Sequence, residues 1–219
     1  PLKSKLDVSK FRRVLVAGFV TDLVDDGIDL SPETSRLLQN QLRSASKLQV
    51  LEPDRPPLNQ ELAKAFKPSE DVRVTREDRD RYRAAGERIL GDGAFWRKLG
   101  EEYQNPLIVT GKLAFEEQNR AGFQQESSLA RDSRGRVREV RGNRYAERKA
   151  FTLSADFSFI DGSTGRLLHK ERFSEEVVYG EEQKVSPLSS YFELMDRLLP
   201  NFLGVISPQK IRGTRVLIP

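Results

Sequence analysis

Histidine and cysteine side chains, which carry many metal sites and nucleophilic reactions, are almost absent from this sequence. The chain has no Cys and one His, His169. The lack of cysteine excludes disulfides, thiolate zinc sites, iron–sulfur clusters and thiol nucleophiles. One imidazole does not make a metal site, and no G-x-S-x-G nucleophile motif occurs. We therefore expect His169 to be an ordinary sheet histidine, exposed or half-buried.

An acidic stretch follows the first apolar run of the chain and could in principle hold a hard cation such as Ca²⁺. Its four carboxylates are Asp22, Asp25, Asp26 and Asp29. Their spacing does not match the D-x-D-x-D-G calcium loop, and Gly27 is not placed as that loop requires. We interpret the stretch as a solvated acidic loop.

Two further motifs look like parts of active sites but have simpler explanations. Gly91-Asp92-Gly93 lacks the G-K-S/T of a phosphate loop, and the end of one helix followed by the cap of the next explains it. Glu116 and Glu117 are adjacent in an expected strand, so they point to opposite faces and do not converge. The sequence therefore predicts no catalytic residue, no metal site and no cofactor, and we expect a protein that is not an enzyme.

The most distinctive charged feature is an arginine-rich stretch at 131–149. It holds eight Arg/Lys and three Asp/Glu, a net charge of +5, so the other 200 residues of this +4 chain sum to −1. Its arginines are Arg131, Arg134, Arg136, Arg138, Arg141, Arg144 and Arg148.

Three interpretations of these arginines compete. They could form a solvated hairpin whose charges protect a sheet edge from aggregation. They could dock an acidic partner, an anionic polymer or lipid headgroups. They could bind nucleic acid, which is disfavoured because Tyr145 is the only aromatic residue within the stretch and the rest of the chain is slightly acidic.

Composition and length favour one folded domain. The 219 residues are 37% apolar and 32% charged, with 12 Phe and 5 Tyr, which is enough for a core. We expect an N-terminal arm at 1–10 and a single domain at 11–219, with insertions at about 53–92 and 116–149. The longest apolar candidate for a membrane span, 198–206, is too short. Because the chain starts at Pro1, a targeting segment with a lipidated cysteine could precede it.

Hydrophobic periodicity and helix-capping residues predict the strands and helices of the first half of the chain. The apolar run 14–20 predicts a central strand covered on both faces, and 48–51 a second strand. Ser31-Pro32-Glu33 predicts a helix start with Ser31 as its N-cap. A short helix at 58–66 and a charged helix from Thr75 to Gly91 follow. Asp92 opens a further helix, in which Phe95 and Trp96 are expected to be core anchors.

The second half predicts antiparallel strands and a closing helix. Strands are expected at 107–115 and 151–160, then a turn at 161–165 and a returning strand from Leu167. Ser186-Pro187 opens the last helix, with Pro200 inside it, and 216–218 could be a short edge strand. The predicted fold is α/β (α+β): a mixed, mostly antiparallel sheet of about five strands with helices packed on it.

Three segments of the chain are similar to a known group of bacterial envelope proteins. Residues 6–19 resemble the arm and first strand of mature envelope lipoproteins ("VDLSKYKRVAV"). Residues 105–111 resemble their "ADYVVSGSV" strand, and residues 157–168 their "RLIDVATGEVLW" hairpin. The chain thus resembles, over about 8–206, the TolB amino-terminal-like and curli-secretion (CsgG-like) superfamily, although the expected insertions are longer than in the plain domain.

The resemblance implies a function based on contact. Members of this superfamily include ring-forming lipoproteins of export systems and lipoproteins that activate penicillin-binding proteins. It implies a periplasmic, outer-membrane-anchored accessory or scaffold protein for export or assembly, with envelope protein partners and a homo-oligomer or ring. Activation of a cell-wall synthase is the alternative within that class. From a different class, a nucleic-acid-binding module using 131–149 stays open.

Overall fold

Five strands form one mixed sheet in the computed structural model, which describes residues 3–22, 29–66 and 74–208. The strand order is β2-β1-β3-β4-β5. β1 runs parallel to both its neighbours, whereas β3, β4 and β5 are antiparallel. This confirms the predicted mixed α/β sheet of about five strands. The strands are β1 (Arg13–Val20), β2 (Gln49–Leu51), β3 (Leu107–Arg131), β4 (Val137–Asp161) and β5 (Leu167–Gly180).

Helices cover both faces of this sheet. One face carries α1 (Leu30–Ala45) and α5 (Pro187–Ile206), and the other carries α2 (Pro57–Ala65), α3 (Arg76–Leu90) and α4 (Gly93–Glu102). β1 is buried on both sides because Val14 packs into the α1–α5 layer and Leu15 into the α2–α4 layer. The continuous apolar run of β1 is the expected pattern for such a strand, so that prediction is confirmed.

The segment 53–92, predicted as an insertion, contributes to the hydrophobic core. Leu58 and Leu62 of α2 and Ile89 of α3 are buried in the same cluster as Trp96 of α4. Trp96 is a core anchor, as predicted, and its indole N–H donates to the carbonyl of Leu90 at 3.2 Å. The helices of this segment therefore build the layer that covers the second face of the sheet.

Helix starts follow the predicted caps with one correction. Thr75, Asp92 and Ser186 cap α3, α4 and α5. The N-cap of α1 is Asp29 rather than Ser31, because its carboxylate accepts the Ser31 N–H at 3.0 Å.

The hydroxyl of Ser31 is engaged elsewhere, which explains the correction. It accepts the backbone N–H of Phe19 at 2.9 Å and donates to Asn59 Oδ1 at 2.7 Å. The amide of Asn59 in turn donates to the carbonyl of Phe19 at 3.2 Å. This closed set of hydrogen bonds ties α1 and α2 to the bulge in β1 at Gly18, whose φ of 105° suits glycine.

Strands β3 and β4 are much longer than predicted. The expected strand ends were 115 and 151, but β3 continues to Arg131 and β4 begins at Val137. The turn between them is closed by a hydrogen bond from the Asp132 N–H to the carbonyl of Arg136 at 2.9 Å, with Gly135 at a φ of 78°. The arginine-rich stretch is therefore one half of a hairpin with regular strand pairing.

The N-terminal arm lies at the opposite end of the sheet from that turn. Leu6 donates its N–H to the carbonyl of Val205 at 2.8 Å, and Lys10 Nζ lies 2.5 Å from the Asp161 carboxylate. Asp161 is the last residue of β4, whereas Val137 is its first. The predicted strand at 216–218 lies outside the described residues. None of the helices in the described ranges is long and apolar enough to cross a lipid bilayer.

Candidate interaction surface on the β3–β4 hairpin

The outer part of the β3–β4 hairpin leaves the body as a two-stranded ribbon. β5 ends at Gly180, opposite Arg148, so residues 121–147 pair only with each other. We call these residues the ribbon. Its strands run from Ala121 opposite Glu147 to Arg131 opposite Val137, a length of about 35 Å. Among its described side chains, all but Asp132 and Ala146 are exposed.

One face of the ribbon carries exposed apolar groups. Phe123 lies directly opposite Tyr145, and their rings meet edge to face with centroids 5.6 Å apart. These side chains are nevertheless 77% and 56% exposed. Leu129 and Val137 follow on the same face, because alternate residues of a strand share a face. Exposed apolar clusters of this kind are typical of interaction surfaces.

The other face is basic. Arg138 and Arg144 lie on it, and Arg120 and Arg148 continue it at the root of the ribbon, where they are paired in register. The strand alternation therefore divides the seven predicted arginines. Arg138, Arg144 and Arg148 share the basic face, Arg131 and Arg141 lie on the aromatic face, and Arg134 and Arg136 belong to the turn.

Only some of these arginines are neutralised by nearby acids. Within the described residues, no carboxylate lies within 4.0 Å of Arg131, Arg134, Arg138 or Arg148. Arg136 donates to Asp132 at 3.3 Å, and two longer pairs form, Arg141–Glu139 at 3.8 Å and Arg144–Glu181 at 3.9 Å. Positive charge on the ribbon therefore remains available to a partner.

The root of the ribbon has the best-formed ion pair of this region. Arg120 donates to both carboxylate oxygens of Glu176 on β5, at 3.0 Å and 2.7 Å. This hydrogen bonding lowers the pKa of the Glu176 carboxyl, with the positive charge of Arg120 and a hydrogen bond from Thr152 acting in the same direction. An acid on the strand next to β4 can thus reach an arginine of the basic face.

His169 has a structural environment. It is half-buried on β5, near the ring of Phe159, and its Nε2 lies 3.0 Å from Glu171 Oε2. Burial raises the pKa of Glu171, but hydrogen bonds from His169 and Lys5 outweigh it, so the net change is downward. His169 therefore lies half-buried in a strand, which is the position that the sequence predicted.

The acidic residues after β1 serve different structural roles. Asp29 caps α1, and Asp22 lies 3.8 Å from Arg83 of α3. Asp25 and Asp26 lie outside the described residues. Across residues 3–22, 29–66 and 74–208, no group of three or more His, Asp or Glu side chains is arranged to hold a metal ion.

The other motifs of interest are also explained by secondary structure. Gly91 ends α3 and Asp92 begins α4, as predicted. Glu116 and Glu117 are neighbours on β3 and therefore face opposite sides, and Glu117 pairs with Lys149 at 2.6 Å.

Sequence reasoning missed Phe123, Leu129 and Arg120 as surface residues of this site. A usable signal was present in Asp132-Ser133-Arg134-Gly135, a turn sequence between two polar runs. Centring a hairpin on Arg134 places Phe123 and Tyr145 at equal distances along the chain, and therefore opposite each other. Without that register, Tyr145 had no aromatic partner.

The chain has distant likenesses among solved structures. No protein-family model matches the chain, and no curated protein matches it. The crystal structure of lipoprotein GNA1162 from Neisseria meningitidis is similar over 87% of this chain and 96% of that one, with 11% sequence identity and a TM-score of 0.37. The protein is, by its own fold, a mixed α/β domain with an amphipathic hairpin extending from the sheet.

Proposed function

We propose that this chain is a non-enzymatic accessory or scaffold protein of the bacterial cell envelope, and that the ribbon is the element with which it contacts protein partners. The observation that carries the proposal is the ribbon's exposure: an aromatic pair on one face and arginines without nearby acids on the other. A long, ordered excursion with exposed apolar groups adds little to the stability of the body, and such excursions are commonly functional.

The proposed location rests on the sequence resemblance of residues 6–19, 105–111 and 157–168 to envelope lipoproteins. In that setting the protein is periplasmic and held at the outer membrane by a lipid attached upstream of Pro1. The arm lies near Asp161, and the ribbon turn lies at the other end of β4. A tether on the arm side would therefore let the turn reach roughly 80 Å from its attachment.

Within the envelope, we favour a role in an export or assembly machinery, with self-assembly into a ring as the accompanying oligomer. Activation of a cell-wall synthase uses the same kind of contact and stays as the alternative. The helices at 53–92 are packed on the sheet through their apolar faces, so we assign the contact with other envelope proteins to the ribbon.

A protein partner fits the ribbon better than nucleic acid does. Single-stranded nucleic acid is bound by aromatic stacking and phosphate contacts within one groove. Here the Phe123–Tyr145 pair meets edge to face, and Arg138 and Arg144 lie on the opposite face of the ribbon. Stacked bases would therefore not share a surface with Arg138, Arg144 or Arg148, and of the seven arginines only Arg131 and Arg141 lie on the aromatic face.

The absence of catalysis is proposed from how the titrating groups are used. Asp161 and Glu171, whose pKa values are lowered, hold the arm through Lys10 and Lys5. Tyr191, whose pKa is raised by burial to about 12, is bonded to Thr34 inside the core. These three groups therefore stabilise the fold or hold the N-terminal arm, which supports a binding role for the protein.

The size of the native assembly tests this proposal. Cells expressing the chain from its own gene are fractionated, and the detergent-solubilised envelope is separated by size. The comparison is with a variant in which residues 121–147 are replaced by Asn-Gly. We expect the intact chain in the envelope fraction within a larger assembly, and the variant in the same fraction outside it. Recovery in the cytoplasm, or in a complex dissolved by nuclease, would contradict the proposal.

A further inference from the structure

The ribbon has an open backbone edge along β4. β5 pairs with β4 from Ile160 to Arg148 and stops at Gly180, where a turn begins with the Gln183 N–H bonded to the Gly180 carbonyl at 3.0 Å. Over residues 137–147, β3 is the only strand paired with β4 among the described residues. Alternate N–H and C=O groups of that part of β4 therefore face outward without a strand partner.

We infer that this open edge of β4 is a docking site for an extended, acidic segment of a protein partner, which adds to the sheet in line with β5. The inference rests on the proposed function, because it specifies the chemistry of the partner that the ribbon contacts. Strand addition supplies affinity through main-chain hydrogen bonds, and alternate side chains supply specificity.

The chain's own β5 shows how acids on this side meet the basic face. Glu176 of β5 reaches across β4 and binds Arg120 of β3 at two points. Glu181, just past the end of β5, is still 3.9 Å from Arg144. β5 itself ends at Gly180, although the basic face continues to Arg138. A partner strand with acids at alternate positions would extend the same pairing outward.

The opposite face of the same edge carries exposed apolar side chains, with Glu139 and Arg141 between them. Tyr145 and Val137 lie on β4 itself, next to the open edge on the ribbon's aromatic face, and each is 56% exposed. A strand placed beside β4 would cover them with its other set of side chains. The preferred partner segment therefore alternates acidic and apolar residues.

Charge disfavours a second copy of the chain at this edge. Two β4 edges paired with each other would bring Arg138, Arg144 and Arg148 of both copies together on neighbouring strands. Like charges on directly paired strands are destabilising. Lipid headgroups and nucleic acid offer negative charge, but they have no peptide groups to pair with the open N–H and C=O groups of β4.

A designed peptide tests the inference with the full chain. The probe is a synthetic peptide of about twelve residues with alternating Glu and Val, long enough to span the open edge. One control peptide carries Lys in place of Glu, and another carries Pro at alternate positions, which prevents strand pairing. Binding is measured by fluorescence anisotropy at low and high salt, and backbone hydrogen exchange is followed over residues 137–147.

We expect the Glu/Val peptide to bind, to weaken at high salt, and to slow exchange of alternate β4 amides. The variant R144E/R148E should lose at least about tenfold in affinity, whereas R97E on α4 should stay within about twofold. Binding of the proline peptide with equal affinity, or binding without amide protection, would overturn strand addition. So would equal, arginine-dependent binding of phosphatidylglycerol vesicles or of a single-stranded oligonucleotide.

The outcome is separable from that of the proposed function. If the envelope assembly requires the ribbon but the peptide does not bind, the strand-addition inference alone fails. If the peptide binds but no envelope assembly depends on the ribbon, the proposed function fails.

Discussion

Arg120 on β3 and Glu176 on β5 form a two-point ion pair that spans the intervening strand β4. Both side chains are partly exposed, at 47% and 42%. The pair lies where the sheet narrows from three antiparallel strands to two, so it marks the root of the ribbon. Inward of it, Phe151 and Leu153 are fully buried; outward of it, the described side chains are almost all exposed.

Removing the ribbon should leave the body stable. Replacing residues 121–147 by Asn-Gly joins the paired residues Arg120 and Arg148 through a two-residue hairpin turn. Since this removes no buried apolar side chain, we expect the free energy of unfolding to change by less than about 1 kcal/mol. Thermal and urea unfolding measure it. Loss of cooperative unfolding would show that the ribbon is part of the core.

Ser31→Ala should destabilise the fold by about 1–3 kcal/mol, because it leaves the buried Phe19 N–H and Asn59 Oδ1 without their partner. Ser44→Ala is the matched control, since Ser44 is exposed in the same helix, and should change stability by less than about 0.5 kcal/mol. Urea unfolding compares the two. Equal effects would contradict the role of Ser31 in joining α1, α2 and β1.

Gly100→Ala should be costly because α4 touches the turn between β4 and β5. A Cβ on Gly100 would lie 1.7 Å from the Gly162 carbonyl oxygen, which is backbone and cannot rotate away. We expect a loss of about 2–3 kcal/mol in unfolding free energy. Gly122→Ala, in the ribbon, meets nothing within 4 Å and should be neutral or slightly stabilising. If both substitutions were neutral, the close approach of α4 to the turn would be wrong.

Asp161 should give the fold a stability component that is lost in acid. Burial raises the pKa of its carboxyl, but hydrogen bonds from Lys10 and Ser163 outweigh burial, so the folded pKa lies below the ordinary 3.8. A carboxyl whose pKa is lower in the folded state stabilises the fold at pH values above 3.8. This stabilisation disappears as the pH falls through the folded pKa. Asp161→Asn should therefore be less stable than the parent at pH 6, with the difference shrinking below about pH 4.

Lys10→Met is the matched variant for that measurement. It removes the cation that holds Asp161 ionised, so it should flatten the acid dependence over the same pH range. Urea unfolding at several pH values gives both curves. An Asp161→Asn deficit of equal size at pH 6 and pH 3 would assign the effect to packing and not to charge.

The body of the fold was predictable because its elements carry strong local signals. β1 is apolar throughout, β4 alternates from Phe151 to Phe159, and Thr75, Asp92 and Ser186 sit at helix starts. The start of α1 was misassigned because two good caps, Asp29 and Ser31, lie close together. Only the tertiary contact of Ser31 with Phe19 decides between them.

The ribbon was not predictable by the same means. Strand prediction depends on one face being buried, which gives a two-residue hydrophobic period. Residues 121–147 have no buried face, so Phe123, Leu129 and Val140 appear as isolated apolar residues in a charged stretch. The division of the arginines between two faces depends on register, and only the turn at 132–136 fixes that register.

Photo-crosslinking from the ribbon tests the central claim most directly. A photoreactive phenylalanine analogue replaces Phe123, 77% exposed on the ribbon, in cells that make the full chain; the control position is Lys98, exposed on α4. We predict a covalent adduct with an envelope protein at position 123 and none at position 98. Adducts at position 123 with nucleic acid alone, or the same protein adducts at both positions, would contradict the claim that the ribbon is the contact element.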